Sequence, residues 1–111
     1  VVVAQIEDPE ALTNVEKIAA VDGIDGLFLG PSDMSVSMGH TDANSLDLLN
    51  ALKRTGAAAK KASKAYMTFV PNAAKAADWD QYGAHMFFVG SEHGWMKAGA
   101  NSDASGIHRI T

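Results

Sequence analysis

The sequence predicts an α/β fold of four βα units around a parallel sheet. Three observations carry that expectation. Four short apolar runs, Val1 to Ile6, Gly26 to Leu29, Ala65 to Val70 and His85 to Val89, are continuous rather than alternating. Such runs mark strands buried on both faces, as in parallel sheets. Helical patterns separate them, and regular strand–helix alternation requires right-handed crossovers between parallel strands. Polar and acidic residues gather just past the end of each run, where parallel α/β folds place their chemistry.

Each element follows in order. After the first run, Asp8-Pro9-Glu10 reads as a helix start: an N-cap acid, proline at the first helical position, then an acid in the first turn. Leu12, Val15, Ile18 and Ala19 recur at helical spacing, and Asp22-Gly23 ends the helix. A second helix is expected from near Ser45 to Lys64, with Leu46, Leu49 and Leu52 inward. Gly56 weakens it by up to about 1 kcal/mol relative to alanine. A third starts after Asn72 and carries Trp79 and Tyr82; a fourth follows Ser91 through Trp95 and Met96. From Asn101 the chain is polar and without period. The expected division is therefore one domain over 1–100 and a loosely ordered tail over 101–111.

A chain of 111 residues suits one small domain. At 47% hydrophobic and 20% charged it has ordinary globular composition. It has no cysteine, which excludes a disulfide framework and thiolate metal sites and fits a cytoplasmic protein. A net charge of -4 argues against nucleic acid and anionic membranes as partners. The apolar runs are far shorter than the roughly 20 residues a membrane helix needs, and no signal peptide is visible.

The strand ends offer Gln5 and Glu7, then Gly30-Pro31-Ser32-Asp33, then Asn72, then Ser91, Glu92 and His93. Two carboxylates on neighbouring strand ends can share one cation. Oxygen ligands without cysteine or histidine select a hard ion: magnesium, manganese or cobalt. Gly30 permits a tight turn, and the N–H groups of Ser32 and Asp33 would then point out of a helix start, ready for a carboxylate or phosphate. Each residue alone has a plainer reading. Glu7 is more often a solvated neighbour of the N-cap, Asp33 a helix cap, and Gln5 a satisfied hydrogen-bonding residue. His40, His85, His93 and His108 read as loop or surface residues, with only His93 at a strand mouth.

The stretch QIEDPEALTNVEKIAAVDGIDGLFLGPSDMSVSMG resembles the HpcH/HpaI family of metal-dependent pyruvate aldolases. That family's pattern runs Q-I-E, an A/V-rich helix, then G-(V/I)-D-G-L-F-(I/L)-G-P-x-D-L-S. Met34 replaces the usual leucine, and Asp33 follows Glu7 by 26 positions as the family's spacing has it. The likeness continues more weakly through KAYMTFV and FFVGSEHGWM to about Ala98, with Glu92 where the family has aspartate.

The resemblance implies a class II aldolase, a carbon–carbon lyase using a divalent cation (Mg²⁺, Mn²⁺ or Co²⁺). Its partners would be pyruvate and an aldehyde, or a 4-hydroxy-2-keto acid. Glu7 and Asp33 would ligate the metal, and Gln5 would act catalytically beside the metal's waters or the keto acid. Gly30, Pro31, Ser32 and Asp33 would hold the pyruvate carboxylate; Phe69 and Val89 would wall the aldehyde end. The family fold is a (β/α)8 TIM barrel, commonly in hexamers, so a homo-oligomer is expected. A full barrel needs about 250 residues and eight strands. This chain, which begins at Val1 inside a strand, reads as the C-terminal half, without the family's arginine and histidine base. It is expected to be inactive alone. Two other readings stay open: an acyl-CoA carbon–carbon lyase of the same barrel superfamily, and a non-catalytic half-barrel that binds metal or a partner. The G-P-x-D turn favours the aldolase. No lysine stands at a strand's carboxyl end, Lys64 merely preceding the third run, which disfavours Schiff-base chemistry.

Overall fold

The structure, a computed structural model, describes residues 1–42 and 44–109. The chain runs β1 (Val3–Ile6), α1 (Pro9–Thr13), α2 (Val15–Ala19), β2 (Gly26–Leu29), α3 (Pro31–Ser37), α4 (Leu46–Lys61), β3 (Ala65–Val70), α5 (Ala73–Asp80), β4 (Met86–Val89) and α6 (Glu92–His108). All strand pairs are parallel, in the order β1-β2-β3-β4. With strands in sequence order, each crossover moves the chain one place in the same direction. Because such crossovers share one hand, the helices fall on one face and the sheet curves about the other. These are four consecutive βα units of a barrel.

Gln5, Phe28, Met67 and Met86 stand level across the sheet. Side chains alternate along each strand, so Val3, Gln5, Phe28, Met67, Phe69, Met86 and Phe88 share the inner face. The outer face packs under the helices: Ile6, Leu27, Leu29 and Val70 are fully buried against Val15 and Ala19 of α2 and Leu48 and Leu52 of α4. Two hydroxyls pin this layer. Tyr66 donates to the Leu52 carbonyl at 3.1 Å, and Thr68 Oγ1 donates to the Leu29 carbonyl at 2.9 Å. Burial pushes the Tyr66 hydroxyl well above its ordinary pKa. Arg54 of α4 forks onto Glu16 of α2 at 3.1 and 3.0 Å and also donates to the Thr13 carbonyl. This guanidinium holds the Glu16 carboxyl below its usual range.

Several expectations are corrected. The first helix is two, broken at Asn14 (φ -101, ψ 9). There Thr13 and Asn14 side chains donate to the carbonyls of Pro9 and Glu10, and such local bonds compete with helix continuation. In α4 the inward stripe is Leu48, Leu52, Thr55 and Ala59, while Leu46 is exposed and Leu49 half-buried. The buried stripe uses small residues, which let α4 approach closely. A methyl on Gly56 would land on the Tyr82 carbonyl oxygen. The helix start at Pro31 continues into the complete helix α3. The helix α6 runs on through Asn101 to His108, within the stretch expected to be loosely ordered, and it buries no residue along its length. No helix among the described residues is long and apolar enough to cross a membrane.

Candidate functional site

Just past the last residue of β2, the Gly30 N–H donates to the Ile6 carbonyl at 3.1 Å. That bond sets Glu7 beside Gly30. The period of two along β1 places Gln5 and Glu7 on the inner face, and Gln5 Nε2 donates to Glu7 Oε2 at 2.6 Å. On β2 the chain turns at Gly30 into α3, with Pro31 at the first helical position and Asp33 in the first turn. Ser37 Oγ donates to the Glu7 carbonyl at 3.3 Å, tying α3 to the end of β1.

Gly30 is the point of convergence. A Cβ there would stand 3.3 Å from Gln5 Nε2, 3.4 Å from Asp33 Oδ2 and 3.5 Å from Glu7 Cβ. Only a residue without a side chain leaves that space open. As N-cap, Gly30 offers no side-chain acceptor, so the first N–H groups of α3, at Ser32 and Asp33, have neither an intrahelical partner nor a cap. Together these groups line a hollow of about 330 Å³ with Phe28 and Phe69 as its apolar wall.

The structure thus brings Gln5, Gly30, Pro31, Ser32, Asp33 and Phe69 to one hollow, with Glu7 at its edge. Val89 is the exception. It pairs with Val70, whose side chain is buried under the helices, so the pleat turns Val89 to the outer face. The residue of β4 level with Phe69 on the inner face is Phe88. Counting alternation from Phe69 across the sheet would have found Phe88.

Among the described residues no three histidine, aspartate or glutamate side chains form a metal cage. Glu7 and Asp33 are exposed, and among the described residues neither takes part in an ion pair. Two carboxylates without a basic partner, Asp33 lining the hollow and Glu7 at its edge, fit a hard cation that keeps several waters or substrate oxygens. No basic residue lines the hollow. His40 pairs with Asp47 at 2.7 Å, His85 Nδ1 lies 3.1 Å from the Gly83 carbonyl, and His93, largely exposed, lies 3.5 Å from Glu92. A larger cleft of about 550 Å³ lies at the opposite ends of β3 and β4, between Lys53, Lys60, Lys64 and His85. That end of a barrel carries stability rather than chemistry, and no acids converge there.

Residues 1–97 match the model of the HpcH/HpaI aldolase/citrate lyase family. The chain is 36% identical over 99 residues to the 5-keto-4-deoxy-D-glucarate aldolase of Salmonella arizonae, an overlap that covers 88% of this chain and 39% of that protein. It is 33% identical over 110 residues to the hydroxypyruvate/pyruvate aldolase of Delftia acidovorans, covering 98% of this chain and 40% of that one. Its fold superposes on an HpcH/HpaI aldolase/citrate lyase family protein from Burkholderia cenocepacia with a TM-score of 0.89 and 30% identity, over 96% of this chain and 42% of that chain. The chain therefore spans about two fifths of the length of the curated relatives it matches. By the family match, the aldolase relatives and the shared βα architecture, it belongs to the HpcH/HpaI aldolase/citrate lyase family.

Proposed function

We propose that this chain provides the metal- and carboxylate-binding part of a class II pyruvate aldolase, which cleaves or forms 4-hydroxy-2-keto acids through a pyruvate enolate. The observation that carries the reading is the convergence of Gln5, Glu7 and Asp33 over the bare Cα of Gly30. Glu7 and Asp33 would hold magnesium, manganese or cobalt. A cation bound there supplies Lewis-acid stabilisation for negative charge developing on a keto oxygen.

The remaining roles belong to the chain's own groups. Gln5 fixes the Glu7 carboxylate through its 2.6 Å hydrogen bond. The uncapped N–H groups of Ser32 and Asp33 receive a substrate carboxylate, aided by the positive end of α3. Phe28 and Phe69 form an apolar wall that limits water near the reacting carbon. No arginine or histidine lines the hollow, so these 111 residues alone should turn over little. Lacking one preorganised electrostatic donor costs about a hundred- to a thousandfold in rate, and lacking a general base about a hundred- to ten-thousandfold more.

Titration calorimetry with manganese tests the reading. One site is expected, lost in Glu7→Gln and in Asp33→Asn. Binding unchanged in both variants would overturn the assignment.

A further inference from the structure

We propose that the cleft at the amino ends of β3 and β4 binds a phosphate monoester, its phosphate among Lys53, Lys60 and Lys64 and its organic part beside Gln81 and Tyr82. The inference does not rest on the aldolase reading. The cleft holds about 550 Å³, room for a small organic molecule rather than a bare ion. All its walls lie between Lys53 and His85, so two consecutive βα units build it from contacts within the chain. A glycine makes the close approach possible. Gly56, buried on α4, has no Cβ to meet the Tyr82 carbonyl oxygen, which lets the turn after α5 lie against the helix. Gly83 in that turn adopts φ 88, a conformation glycine takes without strain. Buried Gly56 and Tyr66 form the floor.

The lining carries charge of one sign. Lys53, Lys60, Lys64 and His85 border the cleft, and no aspartate or glutamate does. In a chain with 13 acids against 9 lysines and arginines, that is a sorted arrangement. None of the three lysines joins an ion pair among the described residues. Lys53, Gly56, Ala57 and Lys60 form one stripe of α4, with two small residues between lysines about 10 Å apart along the axis. Lys60 lies in the last turn, where a cation also suits the helix dipole. Lys53, two turns earlier, has no such reason, and its Nζ lies 5.6 Å from the centroid of the Tyr82 ring. Lys64 also borders a smaller hollow beside Glu16 and Asp22, so Lys53 and Lys60 carry the assignment. Lysine ammoniums are compact point charges on flexible stems, which suit the tetrahedral oxygens of a phosphate. Carboxylates favour the planar fork of arginine, and no arginine lines the cleft. This end of a barrel carries stability rather than chemistry, so the ligand acts by holding α4 to the turn after α5, not as a substrate.

Nuclear magnetic resonance with phenyl phosphate as probe tests the site. On titration at fixed ionic strength, the amide signals of Gly56, Ala57, Gly83 and His85 should move and saturate. Lys53→Gln and Lys60→Gln should each weaken binding about tenfold, the scale of one lost hydrogen bond to a charged group. Lys97→Gln changes the net charge equally, on α6 and outside the cleft, and should leave the affinity unchanged. Succinate at the same ionic strength should bind far more weakly than phenyl phosphate. Shifts at Ser32 and Asp33 without those in the cleft would place the probe beside Gly30 and overturn the proposal. Equal weakening by Lys97→Gln, or succinate binding as tightly as phenyl phosphate, would show unspecific attraction and overturn it too. So would the absence of any saturable change at millimolar probe. The shift map of the parent chain decides the matter even if a lysine variant fails to fold.

Discussion

The side-chain amide of Gln5 donates to the Glu7 carboxylate at 2.6 Å, bridging residues two apart on the same face of β1. The bond occupies one carboxylate oxygen and sets the direction of the other. Partners that orient a ligating carboxylate typically influence metal affinity by about ten- to a hundredfold. Gln5→Ala should therefore weaken manganese binding by that order while leaving one site per chain, whereas Glu7→Gln removes the site. Electron paramagnetic resonance of free manganese measures both. Equal affinity in Gln5→Ala and the parent would remove Gln5 from this role.

Gly30 adopts φ -86 and ψ 98, which alanine can share, so Gly30→Ala should fold with a melting temperature near the parent's. Its new methyl would stand 3.3 Å from Gln5 Nε2, close enough to shift that amide, and 3.4 Å from Asp33 Oδ2, in van der Waals contact that takes up room beside the carboxylate. Manganese and oxalate binding should each fall by about tenfold, the scale of losses from disturbing the groups around a metal's ligands. Unchanged oxalate binding would show that the hollow does not receive carboxylates.

No lysine lines the hollow. Lys75 Nζ donates to Asn44 Oδ1 at 2.6 Å, and Lys53, Lys60 and Lys64 border the cleft at the far ends of the strands. Incubation with pyruvate and borohydride should leave the intact mass unaltered. A reduced adduct on a single lysine would replace the cation-based mechanism with an imine one.

Tyr66 is 1% exposed, and its hydroxyl donates to the Leu52 carbonyl. Tyr66→Phe should cost about 1 kcal/mol, the scale of one buried hydrogen bond. Desolvation raises the folded-state pKa of this group, so folding favours the neutral phenol. Its contribution is whole below the unfolded tyrosine pKa of about 10 and is lost as pH rises beyond it. Urea unfolding should lose stability on going from pH 9 to higher pH in the parent, and less steeply in Tyr66→Phe.

Much of the fold was legible because parallel strands announce themselves as unbroken apolar runs. Gly26 to Leu29 and Ala65 to Val70 coincide with β2 and β3 for that reason. The caps were readable too: the side chains of Asp8, Ser45, Asn72 and Ser91 all accept from helix N–H groups. Hydrophobicity failed where small residues carry the packing. In α4, Ala51, Thr55, Gly56 and Ala59 are buried while Leu46 is exposed, since close approach to Tyr82 favours absent side chains over large ones. That Gln5, Gly30, Pro31, Ser32, Asp33 and Phe69 meet at one hollow was legible from their places at strand ends together with the family motif. Val89 was misplaced because the motif marks a position along the strand, and the pleat alone decides which face it serves.

The helix α6 runs for 17 residues without burying one. The Ser91 side chain caps its start, and Gly94, Gly99 and Gly106 interrupt it. Most helical stability in proteins comes from packing of a buried face, which this helix lacks, and each glycine weakens it by about 1 kcal/mol relative to alanine. Its amide protons should therefore trade with deuterium close to the rate of an open peptide. Those of Leu52, Thr55, Gly56 and Ala59, buried in α4, should wait for the whole domain to open. The chain would then carry two clocks, separated by the short step from Val89 to Ser91.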